Sequence, residues 1–137
     1  MAQPVEPLTV SGPIRMLVMI SSPTDYPPLD VDKEWAQLSE ALHPLEAAGG
    51  LLVQRLPSGS LEDLRRTMMF GEFHVFHYIG HGGLDQHTGD GLLVLTGPDG
   101  RSRLATGAEL YVMLANSPVR LAVLNSCQGA RIGAAVP

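Results

Sequence analysis

His81 and Cys127 have reactive side chains, and both closely follow predicted strands, where α/β proteins commonly have their active sites. His81 follows the apolar run of residues 73–79, and Cys127 follows the apolar run of residues 119–125. Both runs have the length of strands, and groups beyond the carboxyl ends of parallel strands gather at one edge of a sheet. If these two strands are neighbours, about 4.8 Å apart, the imidazole and the thiol can come within a few ångströms of each other.

The chemistry of such a pair is nucleophilic catalysis. A nearby imidazolium favours the thiolate form of a cysteine, whose free pKa is about 8.5. The thiolate attacks a carbonyl carbon, and the histidine protonates the leaving amine. The developing oxyanion needs preorganised donors, and the backbone N–H groups of Gly82 and Cys127 are the natural candidates because glycines here let the backbone approach a substrate closely.

The other histidines of this region do not complete a metal site. His74 and His77 lie within the predicted strand at an odd separation, so they are expected on opposite faces and cannot chelate one metal together. We expect His77 to pack in the core on the same face as Phe73 and Ile79, and His74 to pack under a helix or lie at the margin of the sheet. No metal is therefore predicted.

Other ligand classes lack their motifs. No G-x-G-x-x-G follows the first strand, so a dinucleotide site is not predicted. Cysteine phosphatases need C-x₅-R, and this chain has Gly133 at the arginine position. With nine basic and fourteen acidic residues the net charge is −5, and the arginines are scattered, which disfavours nucleic acid. No cofactor is expected.

Composition fits one globular domain in a reducing compartment. The chain has 137 residues, 45% of them hydrophobic, which is enough for a core. No apolar run approaches the 18 or so residues of a membrane span, so no membrane is expected. A single cysteine cannot form an intrachain disulfide, and the N-terminus lacks the pattern of a secretory signal. We therefore expect a cytoplasmic protein.

Apolar periodicity and turn signals predict alternating strands and helices. The predicted strands are residues 14–20, 51–56, 73–79 and 119–125, and a hairpin turns at Asp99-Gly100. Helices begin near residues 31, 60 and 106, and the pairs Ser60/Asp63 and Thr106/Glu109 have the spacing of capping boxes. This order predicts a three-layer α/β/α sandwich with a mainly parallel sheet. Pro44 is expected to kink or end the first helix near His43.

The chain divides into a tail and one domain. Residues 1–13 carry three prolines and little pattern, so they are predicted to be a flexible tail or linker. Residues 14–137 form the domain. Because the chain ends soon after Cys127 without a further helix, we expect the domain to be incomplete at its C-terminus.

Two sequence motifs resemble those of a known family. HYIGHGG (77–83) and VLNSCQGA (123–130) resemble the histidine and cysteine motifs of caspase-like peptidases, and most closely their CHAT branch. N-S-C-Q-G is close to the caspase signature Q-A-C-[RQG]-G, whose histidine lies about 50 residues upstream. The resemblance also covers IRMLVMISSP, the LLVL…DG hairpin and the TGAEL helix, and so most of the chain from Ile14.

The resemblance implies a caspase-like fold and a cysteine endopeptidase. It makes His81 the general acid/base, Cys127 the nucleophile and Gly82 an oxyanion donor. The substrate would be a protein or peptide, cleaved after a residue called P1. Asn125, two positions before the cysteine, stands where relatives read P1, and Asp25 is a candidate carboxylate for a basic P1.

The resemblance leaves a second function open. A catalytically inactive or zymogen-like CHAT module could serve as a scaffold or partner-binding domain. Relatives sit beside regulatory domains or partner proteins, so we expect such partners in the full-length gene, and the isolated chain need not be active.

Overall fold

The computed structural model describes residues 12–126. The strands are β1 (Ile14–Ile20), β2 (Leu51–Arg55), β3 (Val75–Gly80), β4 (Gly82–Leu84), β5 (Gly91–Thr96), β6 (Ser102–Thr106) and β7 (Leu121–Ser126). The helices are α1 (Val31–Ala47), α2 (Leu61–Phe70) and α3 (Gly107–Ala115). Most of the predicted tail and the end of the predicted domain lie outside this range, so those two predictions stay predictions.

The strands form two sheets. The larger sheet has the order β2-β1-β3-β7, and each neighbouring pair in it is parallel. The smaller sheet is antiparallel with the order β4-β5-β6, and its β5–β6 pair is the hairpin predicted at Asp99-Gly100. Strand β4 was not predicted, because the sequence Gly82-Gly83-Leu84 has the composition of a loop; its pairing with β5 comes from the tertiary fold.

Buried side chains cover both faces of the parallel sheet. On one face, Val18, Ile20 and Ile79 pack with partly buried residues of α1 such as Trp35. On the other face, the core joins alternate strand residues to α2, α3 and the β5–β6 hairpin. The connection from β1 through α1 to β2 and the connection from β2 through α2 to β3 run in opposite directions across the sheet. Because both crossovers are expected to be right-handed, their helices lie on opposite faces of the sheet. The predicted α/β/α fold class is confirmed.

The helix starts follow the predicted capping signals. The Thr106 hydroxyl accepts from Glu109 N, and Glu109 accepts in return from the Thr106 backbone, so the capping box of α3 is complete. Ser60 caps α2 by accepting from Asp63 N. The Asp63 carboxylate, however, accepts from the Ser58 hydroxyl, so only the serine half of the predicted box is seen.

The prediction that the first helix could end near His43 was wrong, and the alternative of a kink at Pro44 stays a prediction. Helix α1 runs through Pro44 and ends at Ala47. The proline removes one backbone donor, but the Ala48 N–H still bonds to the Pro44 carbonyl at 3.1 Å and closes a final turn. Because Pro44 lies on the exposed side near the helix end, the disruption remains local.

His74 and His77 lie in different environments. His74 precedes β3, and its Nδ1 accepts from the backbone N–H of Arg15 at 3.0 Å. His77 is in register with Val18 and Val123, on the α1 face. Phe73 belongs to the core of the opposite face, so the predicted grouping of Phe73 with His77 was wrong. The strand begins at Val75, so its alternation does not extend back to Phe73.

The position of His77 predicts a pH dependence of stability. Burial lowers the pKa of His77 below its ordinary value of 6.5. The unfolded chain therefore binds a proton at pH values where folded His77 is neutral, and the free energy of unfolding should fall as the pH drops through about 6.5. His77→Leu should reduce this fall, as measured by urea unfolding in steps from about pH 7.5 to about pH 5.

His87→Leu is the matched control, because His87 lies exposed in the β4–β5 loop. It should keep the pH dependence of the unsubstituted chain. Equal slopes of stability against pH for His77→Leu and the unsubstituted chain would contradict the argument.

Candidate active site

The strand order reverses between β1 and β3. The chain leaves β1 for α1 on one face of the sheet, and it leaves β3 for the hairpin and α3 on the other. Where connections diverge in this way, a crevice opens beyond the carboxyl ends of the strands, and open α/β sheets bind ligands there. His81 is the first residue after β3 and so lies at this point.

The His81 side chain is buried and held by the loop that follows β1. The residue is 3% exposed. Its Nε2 lies 2.7 Å from the carbonyl oxygen of Pro27. The Tyr26 ring packs beside the imidazole, with the ring centroids 5.4 Å apart and tilted by 39°. The β1–α1 loop therefore supplies both a hydrogen-bond acceptor and an aromatic wall for this histidine.

The Pro27 contact determines where the imidazole carries its proton. A carbonyl oxygen can only accept, so Nε2 must be the protonated nitrogen of the neutral ring. Nδ1 then carries the lone pair. It is buried, and no group among the described residues hydrogen-bonds to it. His81 thus has one nitrogen fixed by the protein and one basic nitrogen available for chemistry.

The backbone at His81 is fixed from the opposite side by a buried tyrosine. The Tyr78 hydroxyl lies 2.8 Å from the carbonyl oxygen of His81 and 3.0 Å from that of Val94 in β5. Val94 N also donates to the His81 carbonyl at 3.1 Å. Gly80 makes room for this arrangement: a Cβ there would lie 2.6 Å from Tyr78 Cζ and 3.1 Å from the Ser21 carbonyl oxygen.

The sheet brings the strands that precede the two predicted catalytic residues side by side. Strands β3 and β7 are parallel neighbours, with Gly80 in register with Ser126. His81 and Cys127 are the next residues along the chain. Cys127 lies outside the described residues, so the structure gives no distance between the thiol and the imidazole.

The remaining predicted site residues lie near the same sheet edge or in its loops. Gly82 opens β4 and is in register with Leu93 of β5. Asn125 is exposed and in register with Ile79, which puts it on the α1 face near the end of β7. Their predicted roles as oxyanion donor and P1-reading residue stay predictions.

Asp25 is engaged with the β5–β6 hairpin. Its carboxylate accepts from the Ser102 backbone N–H at 2.7 Å and from the Ser102 hydroxyl at 2.6 Å. Arg101 Nη2 lies 3.7 Å away. The hydrogen bond from the Ser102 side chain is the main cause that lowers the pKa of Asp25. A basic P1 side chain would have to share this carboxylate with Ser102.

Sequence reasoning missed Pro27, Tyr26 and Tyr78. Pro27 acts through its carbonyl oxygen, which every residue type possesses, so no residue-type signal marks it. Tyr26 and Tyr78 become part of the site through contacts with His81 across the fold. The proline-rich loop after the first strand was the available signal, because loops at this edge of an α/β sheet are where binding groups gather.

The histidines do not form a metal centre in the described range. Within residues 12–126, no three histidine, cysteine, aspartate or glutamate side chains are grouped so that they could hold a metal ion. None of the helices in that range has the length and apolarity needed to cross a bilayer.

These features define an α/β protein with a buried histidine at the switch point of its parallel sheet. A family model described as CHAT domain matches residues 7–135. The chain therefore belongs to the CHAT domain family, a caspase-like family, as the two motifs predicted. A comparison with curated proteins finds no match.

The contact between Gly80 and Tyr78 predicts the effect of a single methyl group. Gly80→Ala should displace the Tyr78 hydroxyl from the His81 carbonyl and cost about 1–3 kcal/mol, as overpacking typically does. The measurement is urea unfolding. Gly83→Ala is the matched control, because a Cβ at Gly83 meets nothing within 4 Å. Equal stability of the two variants would show that Gly80 is not required for close packing.

Proposed function

We propose that the chain is a cysteine endopeptidase of caspase-like type, with His81 and Cys127 as its catalytic dyad. The observation that carries this proposal is the register of β3 with β7, two parallel neighbours that are followed in the sequence by His81 and Cys127. His81 Nδ1, which is buried and has no hydrogen-bond partner among residues 12–126, supports it, because a general base needs a free lone pair within reach of the nucleophile.

The proposed reaction begins with proton transfer from the Cys127 thiol to His81 Nδ1. Nε2–H stays bonded to the Pro27 carbonyl throughout, which holds the ring in place and stabilises the imidazolium. The thiolate forms a C–S bond with the scissile carbonyl carbon, and the carbonyl electron pair moves onto oxygen. Backbone N–H groups of Gly82 and Cys127 would donate to that oxyanion.

Collapse of the tetrahedral intermediate breaks the peptide C–N bond. His81 Nδ1–H delivers its proton to the departing nitrogen, which leaves a thioester on Cys127. A water molecule then gives a proton to Nδ1 and attacks the thioester carbonyl. The C–S bond breaks, the carboxylic acid departs and the thiol is regenerated, so the cycle needs no cofactor. Asn125, exposed near the end of β7, would contact the P1 side chain of the protein or peptide substrate.

The dyad predicts an activated thiol. The chain has one cysteine, so iodoacetamide alkylation followed by intact mass reports on Cys127 alone. We expect the alkylation rate to titrate below the ordinary thiol pKa of about 8.5 in the folded chain, and near that value after His81→Gln or in urea. His87→Gln, in an exposed loop, is the control and should leave the profile unchanged.

Peptide cleavage is the second measurement on the same variants. A fluorogenic peptide library varied at P1 should be cleaved by the full-length protein, and Cys127→Ala or His81→Gln in that protein should abolish turnover. An ordinary thiol profile that His81→Gln leaves unchanged, together with no cleavage, would contradict the peptidase. That result would favour the scaffold or partner-binding module that the family resemblance left open.

A further inference from the structure

The β1–α1 loop that holds His81 has few backbone donors of its own. It spans residues 21–30 and contains Pro23, Pro27 and Pro28, none of which carries a backbone N–H. Within the loop, Leu29 N donates to the Ser22 hydroxyl at 3.1 Å. That bond joins the two ends of the loop, and Tyr26 N donates to the Pro23 carbonyl at 3.3 Å. The segment that includes the Pro27 carbonyl gains further anchors outside the loop.

Those anchors lie in the turn of the β5–β6 hairpin. Thr24 N donates to the Gly100 carbonyl at 2.9 Å, and the Thr24 hydroxyl donates to the same oxygen at 3.2 Å. Gly100 has a φ of +81°, a left-handed conformation that favours glycine and is found here in the tight turn of the hairpin. Asp25 then receives two hydrogen bonds from Ser102, the first residue of β6.

The Asp25–Ser102 contact is the strongest of these anchors. Hydrogen bonds to an ionised carboxylate are shorter and roughly twice as strong as neutral ones, and these two measure 2.7 and 2.6 Å. The Arg101 guanidinium contributes less, because it is 64% exposed and lies 3.7 Å from the carboxylate. Asp25 is only two residues from Pro27, so the contact acts close to the oxygen that binds His81.

We propose that Asp25 and Ser102 are positioning residues that hold the Pro27 carbonyl on His81 Nε2 and so keep the basic lone pair on Nδ1. This inference rests on the proposed dyad and gives the hairpin a role in it. Loss of the contact frees the loop, releases Nε2 and lets the imidazole exchange between tautomers and orientations. The effect falls on the chemistry of the histidine and is therefore the same for every P1 residue.

This role differs from binding of a basic P1 by Asp25. A P1-binding carboxylate affects only substrates with a basic P1 and has no influence on a reagent without a side chain to bind. A positioning carboxylate changes the reactivity of Cys127 toward iodoacetamide, which has no P1. The rate of Cys127 alkylation by iodoacetamide therefore distinguishes the positioning role of Asp25 from P1 binding.

The first measurement is the tautomer of His81, read from long-range ¹H–¹⁵N spectra of the imidazole at about pH 7.5, with His81→Gln used for assignment. The unsubstituted chain should show the Nε2–H form. Asp25→Ala should shift His81 toward a mixture of tautomers, and Ser102→Ala, which removes only the hydroxyl donor, should produce a smaller shift. Asp25→Asn keeps an amide oxygen for the Ser102 N–H and should restore part of the Nε2–H form.

The second measurement is Cys127 alkylation at pH 7 on the same variants. We expect Asp25→Ala to slow it about tenfold and Ser102→Ala about threefold, in keeping with the loss of two or one charge-assisted hydrogen bonds. Arg101→Ala should change the rate less than twofold, because the ion pair is exposed. Asp90→Ala removes an exposed aspartate in the β4–β5 loop and is the control. Unchanged His77 resonances show that each variant is folded.

The outcomes separate this proposal from the dyad itself. A tautomer shift in Asp25→Ala supports the positioning role even if alkylation shows no dependence on His81, a result that would contradict the dyad. If the unsubstituted chain has a His81-dependent thiol and Asp25→Ala keeps both its tautomer and its alkylation rate, the dyad stands and the positioning role is wrong. Loss of cleavage limited to basic P1 residues, with unchanged alkylation, also overturns it in favour of P1 binding.

Discussion

The parallel pairing of β3 with β1 on one side and with β7 on the other is the constraint on which the candidate site depends. Strands that run in one direction end at one edge, so the carboxyl ends of β1, β3 and β7 are brought together whatever their separation in sequence. The register of β3 is strongly specified because both of its faces are buried. A slip of one residue would move Tyr78 and Ile79 each to the opposite face of the sheet, into the core that the other now occupies.

The surroundings of His81 explain how this buried histidine persists although its Nδ1 has no hydrogen-bond partner in the described part of the chain. A buried polar atom without a partner costs about 1–3 kcal/mol. The fold offsets this by fixing two other polar groups of His81: Nε2 bonds to the Pro27 carbonyl, and the His81 carbonyl oxygen accepts from Val94 N and lies beside the Tyr78 hydroxyl. A polar group kept against the stability optimum in a rigid setting is typical of a functional site.

The sequence predicted what depends on local pattern. Apolar runs marked the four parallel strands, the Thr106–Glu109 spacing marked the start of α3, and Asp99-Gly100 marked the hairpin. Prediction from the sequence failed where tertiary contacts determine the structure. Strand β4 forms only because β5 lies beside it. Helix α1 continues past Pro44 because the loss of one backbone donor near an exposed helix end is tolerated.

The candidate site also combines features that the local sequence predicts with features that only tertiary contacts determine. His81 was found from its type and its place after a strand, but the group that sets its tautomer is a backbone oxygen with no signature in the sequence. Asp25 shows the converse: its type suggested a ligand for a cation, whereas the structure gives its carboxylate two donors from Ser102. A carboxylate that already accepts two short hydrogen bonds has its charge partly balanced, so a P1 arginine would gain less from it than from a free carboxylate. Under the positioning proposal, P1 preference would therefore depend on other groups at the sheet edge, and the hairpin would govern how well the histidine works rather than which residue it cleaves after.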